Sequence, residues 1–464
     1  MSKDSGAADM FRPPVNRTMR KLDRPFFKKT IPTSAARVIE KREIARCRKV
    51  LGHDLLKLDR MQAIKTVPGP QGEETKALLL RPEIKPEDQA TWSSRLVELV
   101  RSSQVEVIPY DLAIDYDYWT YYDIISSILP ESVEDELPTG FSVVGHIAHL
   151  NLRGPYLPFK KLIAQVLLDK NPNIRTVINK IDEIGEQSEY RTFMFEFLAG
   201  QRDTNVEVHE GNCAFRFDYS KVYWNSRLET EHRRLVNKFN PGEAVCDVMA
   251  GVGPFAVPAG RKQCFVWAND LNPDSHASLE DAVRRNKVWN FVKTFNQDGR
   301  EFIRSATKNL LVNDISANIP LKQSRTMRVA NPRTTSPVYL RCPKIFSHYV
   351  LNLPASAVSF LPAFIGIYAG YSDLLEPGTP KKMPMVHVHC FSTKSDDNKE
   401  EERKICKELS EQLDFEICPG DPENEGEAEI WDVRDVAPFK RMFCASFRLP
   451  KEVAFREKQG STKA

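Results

Sequence analysis

One short segment constrains the fold of this chain more than any other. The apolar run 244–247 ends in an acid, Asp247, and a loop with glycines at positions 251 and 253 follows it. Glycine adopts backbone angles that other residues avoid, and it lets a bound molecule approach the main chain closely. The segment therefore predicts a buried strand, a ligand-binding turn and the start of a helix, which together form the basic unit of an α/β fold.

Strand and helix patterns continue to alternate after this segment. Strand-like runs separated by helical patterns lie at residues 244–249, 264–268, near 295, and at 349–353. This alternation predicts a doubly wound, mostly parallel sheet with helices on both faces. The polar stretch 306–345 interrupts the pattern and is predicted to be an insertion loop. The apolar run 355–370, which Pro362 cuts, is predicted to be a buried strand followed by a helix.

The glycine loop is compatible with two kinds of cofactor. The pattern from Gly251 to Ala256 fits a dinucleotide fingerprint, and Asp270 lies 19 residues after its first glycine, near the place of a ribose-binding acid. Asp247, however, would repel a pyrophosphate but attract the α-ammonium group of S-adenosylmethionine. We therefore predict S-adenosylmethionine as the cofactor, with a dinucleotide or a purely structural turn as the alternatives.

Two further strand ends extend the predicted cofactor site. Asp270 and Leu271 end the second strand of the sheet, where a carboxylate can accept hydrogen bonds from both ribose hydroxyls. Asp298 and Gly299 follow the third strand-like run, where a carboxylate can accept a hydrogen bond from the adenine amino group. These four residues complete the predicted adenosine-binding edge.

A fourth strand end carries the predicted substrate contact. The loop 352–354, Asn-Leu-Pro, resembles the Asn-Pro-Pro loop of enzymes that methylate ring or exocyclic nitrogens. The amide of Asn352 can donate and accept at the edge of a base, while proline stiffens the loop. Because Leu353 stands where that loop has proline, the second position performs no proline-specific role. A simple turn at the strand end is the alternative.

We predict four regions along the chain. They are a basic, disordered arm at 1–35, an α+β region at 36–138, a small α+β module at 139–220 and a class I methyltransferase domain at 221–455. A long helix is expected over 35–58. The small module is expected to contain a helix at 160–168 and a hairpin centred on residues 210 and 211.

The composition excludes several classes of protein. Nine cysteines without a C-x-x-C pair provide neither a disulfide framework nor a structural zinc site, and no metal is expected. No apolar run reaches the length of a membrane span. His387 and His389 alternate within a strand-like run, so we expect them on one face of a sheet rather than on a metal ion.

Eight short segments then occur in a fixed order. They are residues 145–152 (GHIAHLNL), 190–193 (YRTF), 218–228 (DYSKVYWNSRL), 231–234 (EHRR), 247–253 (DVMAGVG), 352–354 (NLP), 433–438 (VRDVAP) and 444–450 (CASFRLP). Together they resemble the tRNA guanine-37 N1-methyltransferase family of archaea and eukaryotes, and the basic arm and the 306–345 insertion resemble fungal members. The first 75 residues carry no matching motif.

This resemblance implies methylation of N1 of guanosine 37, next to the anticodon, which supports maintenance of the reading frame. N1 carries a proton at neutral pH, so the reaction needs a base near N1 and a cation near O6. The resemblance places Glu231 as that base and Arg191 at O6, with Asn352 orienting the guanine and contacting the cofactor. It also places His232 against the cofactor, and it implies a monomer with tRNA as its partner.

Two other functions remain open at this point. An aminocarboxypropyl transferase of the wybutosine pathway uses the same cofactor on a similar scaffold, and a tRNA-binding protein could retain the fold without activity. At single positions, Glu231 could instead oppose a helix dipole, His232 could lie on a helix surface, and Arg191 could pair with Glu189 or Glu196.

The basic arm suggests where the protein is found. Residues 1–60 hold 16 Lys or Arg against seven Asp or Glu, and the stretch 12–29 holds seven cations with one acid, Asp23. Such arms resemble mitochondrial transit peptides, and Met10 offers a second start that omits Asp4 and Asp9. We expect the protein in the mitochondrial matrix, the nucleus and the cytoplasm. Direct contact of the arm with tRNA is the alternative.

Overall fold

A computed structural model describes residues 10–131, 137–181, 190, 192, 194–319, 338–371 and 382–457. The chain forms two compact units. The first comprises Met1–Phe141, Leu150–Asn179 and Phe197–Gln201, and the second comprises Ser142–His149, Lys180–Glu196 and Arg202–Ala464. Residues of the predicted 139–220 module therefore belong to both units. Within the described ranges, none of the helices combines the length and apolarity that crossing a membrane requires.

The first unit is built around an antiparallel sheet. Its elements up to residue 128 are β1 (Lys29–Val38), α1 (Ile44–Val50), β2 (Ile64–Pro68), β3 (Glu74–Leu79), α2 (Ser94–Arg101), β4 (Val105–Ile114) and α3 (Tyr121–Ile128). The sheet order is β2-β3-β1-β4, so β1 pairs with a neighbour on each side. The small residues Ser34, Ala35 and Ala36 in the middle of β1 are fully buried. Because β1 pairs on both sides, the sheet of the first unit cannot form without residues 29–38.

The expectation of a disordered arm is wrong for residues 10–35, because the fold uses them. Phe27 is fully buried, and its carbonyl accepts a hydrogen bond from Trp119 Nε1 at 2.9 Å. The guanidinium group of Arg17 donates to the main-chain carbonyls of Ser126 and Leu129. The basic arm is therefore held on the first unit at Arg17 and at Phe27.

The expected helix over 35–58 is also wrong. Strand β1 continues to Val38, and the only α-helix in that range is the seven-residue α1. Pairing with β3 and β4 satisfies the backbone of β1 on both edges, so tertiary context overrides the helical pattern. Residues 116–122 contain four tyrosines and a tryptophan, of which Tyr116 and Trp119 are buried in the packing of the unit and Tyr122 is exposed.

The middle of the chain contains short elements that lead into the second unit. They are β5 (Ser142–Val144), β6 (Ile147–Leu150), α4 (Lys160–Lys170), β7 (Thr176–Lys180), β8 (Phe195–Gly200), β9 (Asn205–Glu210) and β10 (Cys213–Asp218). The predicted helix at 160–168 and the hairpin at Glu210-Gly211 are confirmed. The β9–β10 hairpin belongs to the second unit, where Asn286 exchanges two hydrogen bonds with the main chain of Ala214. The second unit therefore includes the hairpin that precedes the predicted boundary at residue 221.

A mixed eight-stranded sheet forms the centre of the second unit. The elements are α5 (Glu229–Lys238), β11 (Ala244–Asp247), α6 (Ala256–Arg261), β12 (Phe265–Asn269), α7 (Pro273–Arg285), β13 (Val292–Phe295), α8 (Gly299–Val312), β14 (Ser316–Ile319), β15 (Val338–Arg341), β16 (His348–Leu351), β17 (Met385–Ser392), α9 (Lys399–Leu413), β18 (Cys418–Pro419), β19 (Glu427–Ala437), β20 (Lys440–Arg448) and α10 (Lys451–Phe455). The strand order is β13-β12-β11-β16-β17-β20-β19-β18. The first five strands are parallel, and β20 is antiparallel to both of its neighbours. The prediction of a doubly wound, mostly parallel sheet is confirmed.

The order of the strands reverses at β11. From this strand the chain goes outward first to β12 and β13, and later to β16 and β17 on the other side. In such sheets a ligand binds outside the carboxyl ends of the strands at the point of reversal. Every residue of β11 and β12 is buried, as expected for strands covered on both faces. The strand order therefore predicts a ligand site at the loops that follow Asp247 and Asn269.

Two predictions about the second half of the chain need correction. Helix α8 continues to Val312, and β14 pairs with β15, so regular structure occupies both ends of the predicted insertion at 306–345. Residues 320–337 of the predicted insertion lie outside the described residues. The apolar run at 355–370 contains a 3-10 helix, Ala357–Phe364, and no strand. Pro362 lacks the N–H that a strand ladder needs, and Leu361 and Phe364 are buried in the core instead.

Candidate active site

The glycine loop between β11 and α6 has the backbone geometry that its sequence predicts. Gly251 and Gly253 have φ angles of +56° and +98°, in the left-handed region that favours glycine. A Cβ on Gly253 would lie 2.6 Å from Leu279 Cδ1, so the loop is packed closely against α7. A Cβ on Gly251 would meet no atom within 4 Å. The backbone at Gly251 therefore borders open space in which a ligand can lie.

Asp247, at the end of β11, is fully buried. Among the described residues, no group donates a hydrogen bond of good geometry to either of its oxygens. Burial, with a smaller contribution from Asp270, raises the pKa of Asp247 to about 8, and His389 and the backbone of Ala256 oppose this only in part. Because a lone buried carboxylate is costly, the site fits a cation supplied by a ligand, such as the α-ammonium group of S-adenosylmethionine.

Asp270 follows β12 and is held by two main-chain donors. Its Oδ2 accepts from the N–H of Gly251 at 2.8 Å, and its Oδ1 accepts from the N–H of Asn272 at 2.9 Å. Burial raises the pKa of this carboxyl group. Each carboxylate oxygen has a second lone pair. Asp270 can therefore fix the glycine loop and still accept hydrogen bonds from a ribose diol.

Asn269 connects three strand ends, although sequence reasoning did not single it out. Its Nδ2 donates to the carbonyls of Val248 and Gln297 at 3.1 and 3.0 Å, and its Oδ1 accepts from the N–H of Gln297 at 2.9 Å. The side chain is buried. A polar residue that ends an apolar strand immediately before Asp270 is the signal that would have identified it. Asn269 positions the loops that contain Asp247, Asp270 and Asp298.

Asp298 and Gly299 begin α8. The Oδ1 of Asp298 accepts from the N–H groups of Arg300 and Glu301, which makes Asp298 the N-cap of the helix. A Cβ on Gly299 would lie 2.9 Å from Phe360 Cε1, so a larger residue would push this strand end away from the core. Both observed hydrogen bonds use the same oxygen of Asp298, which leaves its Oδ2 for the predicted contact with adenine.

Glu231, the predicted base, lies buried on α5 between two cations. Arg234 binds it in a bidentate manner, with Nε donating to Oε2 at 2.7 Å and Nη2 donating to Oε1 at 2.8 Å. His389 Nε2 also donates to Oε1, at 2.8 Å. Burial alone would raise the pKa of Glu231, but these bonds outweigh it and lower the pKa to about 2. Glu231 is therefore ionised throughout the physiological range, and its contacts exceed those of an acid that only offsets a helix dipole.

His232, the neighbour of Glu231, is buried rather than on a helix surface, so that alternative is wrong. Its Nδ1 lies 2.5 Å from Glu210 Oε1 at the end of β9. Its ring packs edge-on against Phe255 of the glycine loop, with 4.8 Å between the ring centroids. The β9–β10 hairpin thus orients a ring that borders the glycine loop. The contact of His232 with the cofactor stays a prediction.

The remaining predicted site residues have different surroundings. Asn352 directly follows β16 and is half-buried, in a turn closed by hydrogen bonds from Ser356 and Ala357 to the carbonyl of Leu353. The side chain of Leu271 is largely exposed beside Asp270, where it can cover a bound adenosine. Arg191 lies outside the described residues.

One cluster in the described chain has residue types that can bind a metal. Ligand atoms of Glu231, His389 and Cys444 lie within 4.8 Å of one another, and all three residues are buried. Arg234 already contacts the same carboxylate, and a cation would compete with it. As predicted, His387 and His389 lie on one face of β17, and both are fully buried.

Two family models match the chain. The TYW2 N-terminal domain matches residues 121–204, and the TRM5/TYW2 methyltransferase domain matches residues 206–323. The second match begins at the β9–β10 hairpin and contains Glu231, the glycine loop and Asp298. It therefore coincides with the predicted cofactor site.

Curated relatives match nearly the whole chain. The chain is 53% identical over 468 residues to a tRNA (guanine(37)-N(1))-methyltransferase of Aspergillus fumigatus, with 98% of each chain covered. It is 43% identical over 442 residues to a protein of the same name from Schizosaccharomyces pombe, with 94% of this chain and 95% of the relative covered.

Solved structures show the same fold at lower identity. Trm5b from Pyrococcus abyssi is 22% identical, with a TM-score of 0.54, and the match covers 90% of this chain and 99% of that chain. The complex of aTrm5 with tRNALeu contains a chain that is 18% identical, with a TM-score of 0.58, covering 89% of this chain and 99% of that chain. At these identities the likeness concerns the fold alone.

The state of Asp247 predicts a pH-dependent stability. Its pKa is about 8 in the folded chain against 3.8 as the ordinary value, so between these pH values the folded state keeps a proton that the unfolded state releases. Stability is then lost as the pH rises from about 4 to 8. We expect Asp247→Asn, which stays neutral, to raise the melting temperature of the ligand-free protein at pH 8, with a gain that shrinks toward pH 5.

The exposed Asp274 provides the control, since Asp274→Asn should not change this pH dependence. Calorimetric melting curves between pH 5 and pH 8 measure the effect. If the difference in melting temperature between Asp247→Asn and the wild type is the same at every pH in this range, the assignment of a neutral Asp247 is wrong.

Proposed function

Because the chain belongs to the family of tRNA (guanine(37)-N(1))-methyltransferases, we propose that it transfers the methyl group of S-adenosylmethionine to N1 of guanosine 37 in tRNA. The observation in the structure that best supports this function is the buried carboxylate of Asp247 beside the open glycine loop, because no described residue donates a hydrogen bond of good geometry to it. The carboxyl group keeps its proton in the ligand-free chain at neutral pH, and a cationic cofactor at the reversal point of the sheet would lower its pKa and pair with the ionised form. A dinucleotide pyrophosphate brings no such cation and would be repelled by the ionised carboxylate.

The proposed cofactor site consists of residues from three neighbouring strand ends. Asp247 binds the α-ammonium group, Asp270 the ribose hydroxyls and Asp298 the adenine amino group, while His232 and Phe255 border the loop between them. When bound, S-adenosylmethionine supplies an electrophilic methyl group. The chain's contribution is to bind it in one orientation, because Asn269 ties these strand ends together.

Glu231 is the proposed base for the N1 proton. It is held by two cations, so it stays ionised and available at every physiological pH. The same cations weaken it as a base, but the proton at N1 becomes more acidic as positive charge develops with the new N–C bond. A weak, firmly held carboxylate is therefore sufficient. Arg191 is proposed to stabilise charge at O6, and Asn352 to orient the guanine and to contact the cofactor.

A pair of arginines beside α5 supports an anionic substrate. Burial and the positive charge of Arg227 lower the pKa of Arg434 on β19, so the two cations are near enough to repel each other. Such a like-charge pair is relieved by an anion, and a tRNA phosphate has the required charge. We further propose that the region before residue 202 holds the tRNA body. We also propose that the protein acts as a monomer. Light scattering that gives the mass of a dimer would contradict the proposed monomer.

The aminocarboxypropyl transferase alternative is not favoured. Relatives that match nearly the full length are named as N1-methyltransferases, although the matching domain model covers both activities. The alternative reaction forms a bond to a carbon atom and needs no base for an N1 proton, so it gives no role to the buried Glu231. Mass spectrometry of nucleosides from treated tRNA separates the two, because a single methyl group adds far less mass.

Replacing the base tests the chemistry. We expect Glu231→Gln to bind S-adenosylmethionine and tRNA almost normally and to slow the chemical step by about 10²–10⁴-fold, because its amide cannot accept the N1 proton. Glu229→Gln, on the exposed side of the same helix, is the matched control and should react at the normal rate. Single-turnover kinetics measure the step. A normal rate for Glu231→Gln would show that the proton leaves by another route.

Replacing the ribose acid tests the cofactor site. We expect Asp270→Ala to weaken S-adenosylmethionine binding strongly, because each hydrogen bond to this charged acceptor contributes roughly 1.5–3 kcal/mol. Isothermal titration gives the affinity, and Asp274→Ala at the exposed start of α7 is the control. If cofactor affinity is unchanged in Asp270→Ala, the ribose lies elsewhere.

We also propose that part of the protein enters mitochondria and the remainder serves the nucleus and cytoplasm. Support comes from the cation-rich stretch 12–29 and from Met10, whose use as a start removes Asp4 and Asp9. Deleting residues 1–34 is not a usable test, because it would remove Phe27 and half of β1. Lys21 and Lys28 are exposed, so their charge can be changed without disturbing a buried contact.

We therefore expect the double variant Lys21→Gln, Lys28→Gln to enter mitochondria less efficiently while its tRNA affinity and the salt dependence of binding stay nearly unchanged. Cell fractionation with chains that start at Met1 or Met10 measures import. Normal import of the variant would contradict the targeting role. A large loss of tRNA affinity would instead show that the arm contacts tRNA.

A further inference from the structure

His389 connects the proposed base to the loop that contains Asn352. Its Nε2 lies 2.8 Å from Glu231 Oε1, and its Nδ1 lies 3.3 Å from the main-chain carbonyl of Leu351. Leu351 is the last residue of β16, so the next residue in the chain is Asn352. Since the ring is fully buried on β17, it spans the distance between α5 and the end of β16 with no access to water.

The partners of His389 define its protonation state. A main-chain carbonyl can only accept a hydrogen bond, and an ionised carboxylate can also only accept. Both ring nitrogens must therefore carry hydrogen, which makes His389 an imidazolium. A nitrogen that carries hydrogen has no lone pair for a metal, so the cluster with Glu231 and Cys444 is an ion pair beside a cysteine sulfur rather than a metal site. Burial of the ring would lower the pKa of His389, but Cys444 and Glu231 outweigh it and raise the pKa to about 10, in agreement with this geometry.

The contacts of Glu231 distinguish its two oxygens. Oε1 accepts from His389 Nε2 and from Arg234 Nη2, which uses both of its lone pairs. Oε2 accepts only from Arg234 Nε among the described residues. One lone pair of Oε2 is therefore available for a proton from the substrate. Oε2 is therefore the atom of Glu231 that can accept the proton.

We propose that His389 is a positioning residue of the methyl transfer: its imidazolium holds Glu231 so that Oε2 receives the N1 proton, and its bond to Leu351 couples that orientation to Asn352. The proposal rests on the proposed role of Glu231 as the base. In this proposal His389 acts through Glu231 and Leu351 alone, and it neither gains nor loses a proton in the reaction. The proton passes from N1 to Oε2, and the electron pair of the N–H bond stays on the guanine ring.

The charges around Glu231 determine how the rate depends on pH. The groups that face it or its partners are Arg234 on α5, His387 and His389 on β17, Cys444 on β20, Glu429 on β19 and Asp247 at the end of β11. Arg234 and His389 hold the pKa of Glu231 at about 2, against an ordinary value of 4.5. Removing one of these cations must raise that pKa. Below its pKa the carboxyl group is protonated and cannot accept the N1 proton, so the acidic limb of the rate profile then moves to higher pH.

Two conservative variants separate the two bonds of His389. His389→Asn keeps a donor near the position of Nδ1, for Leu351, and loses the donor to Glu231. His389→Gln keeps a donor near the position of Nε2, for Glu231, and loses the charge and the bond to Leu351. His387→Asn is the matched control, because His387 is equally buried on the same strand but contacts His348 and Ser446 instead.

Single-turnover methyl transfer is measured with the full-length chain from pH 4.5 to pH 8. We expect His389→Asn to slow the chemical step about 10- to 100-fold, with S-adenosylmethionine and tRNA affinities within about threefold of the wild type. His389→Gln should retain more activity than His389→Asn. Both should show an acidic limb that the wild type lacks in this range. In a double-mutant cycle, Glu231→Gln and His389→Asn should be strongly non-additive.

Several outcomes would overturn the proposal. One is a rate for His389→Asn within threefold of the wild type together with an unmoved acidic limb. Another is an equal loss in His387→Asn, which would indicate a purely structural effect. If His389→Asn does not fold, the acidic limb of His389→Gln decides alone, since it also lacks the charge. A normal rate for Glu231→Gln refutes the proposed base itself, whereas a slow Glu231→Gln with a normal His389→Asn refutes only the role of His389.

Discussion

The three hydrogen bonds of the Asn269 side chain hold the cofactor edge of the second unit together. Parallel strands pair along their length, but their carboxyl ends diverge into separate loops, and no ladder bonds fix those loops to one another. A buried amide with two donor hydrogens and an acceptor can bridge them, which Asn269 does from the end of β12 to Val248 and Gln297. Asp247, Asp270 and Asp298 lie on the loops that it connects, and the bond from the N–H of Gly251 to Asp270 adds a second link between two of them.

Two buried carboxylates in the same unit have opposite electrostatic surroundings. Asp247 has no partner among the described residues, and its pKa is raised to about 8, whereas Glu231 has two cationic partners and a pKa lowered to about 2. The burial of Asp247 lowers the stability of the protein until a cationic ligand binds. Glu231 already has its cationic partners within the chain and needs no ligand. This difference matches the proposed roles, because one group must attract a cofactor and the other must stay ionised and fixed in place.

In the first unit, the stretch 12–29 resembles a mitochondrial import signal in composition and is also part of the folded structure. The cations between residues 12 and 29 have the composition of an import signal, yet Arg17 and Phe27 are bound within the folded unit. Composition records only that such residues are present. Whether they remain exposed depends on the sheet that forms at β1, which requires partners from residues 74–114.

The sequence by itself determined the doubly wound sheet, the glycine loop and the acids at the strand ends, because each depends on local periodicity and on a residue type that a backbone angle requires. It could not determine that residues 10–38 are part of the fold, since β1 is fixed by distant strands rather than by its own pattern. It also could not reveal Arg234, Asn269 or His389 as parts of the site. Only tertiary structure brings His389 to Glu231, 158 residues away in the chain, and only burial between two cations sets the pKa of that carboxylate.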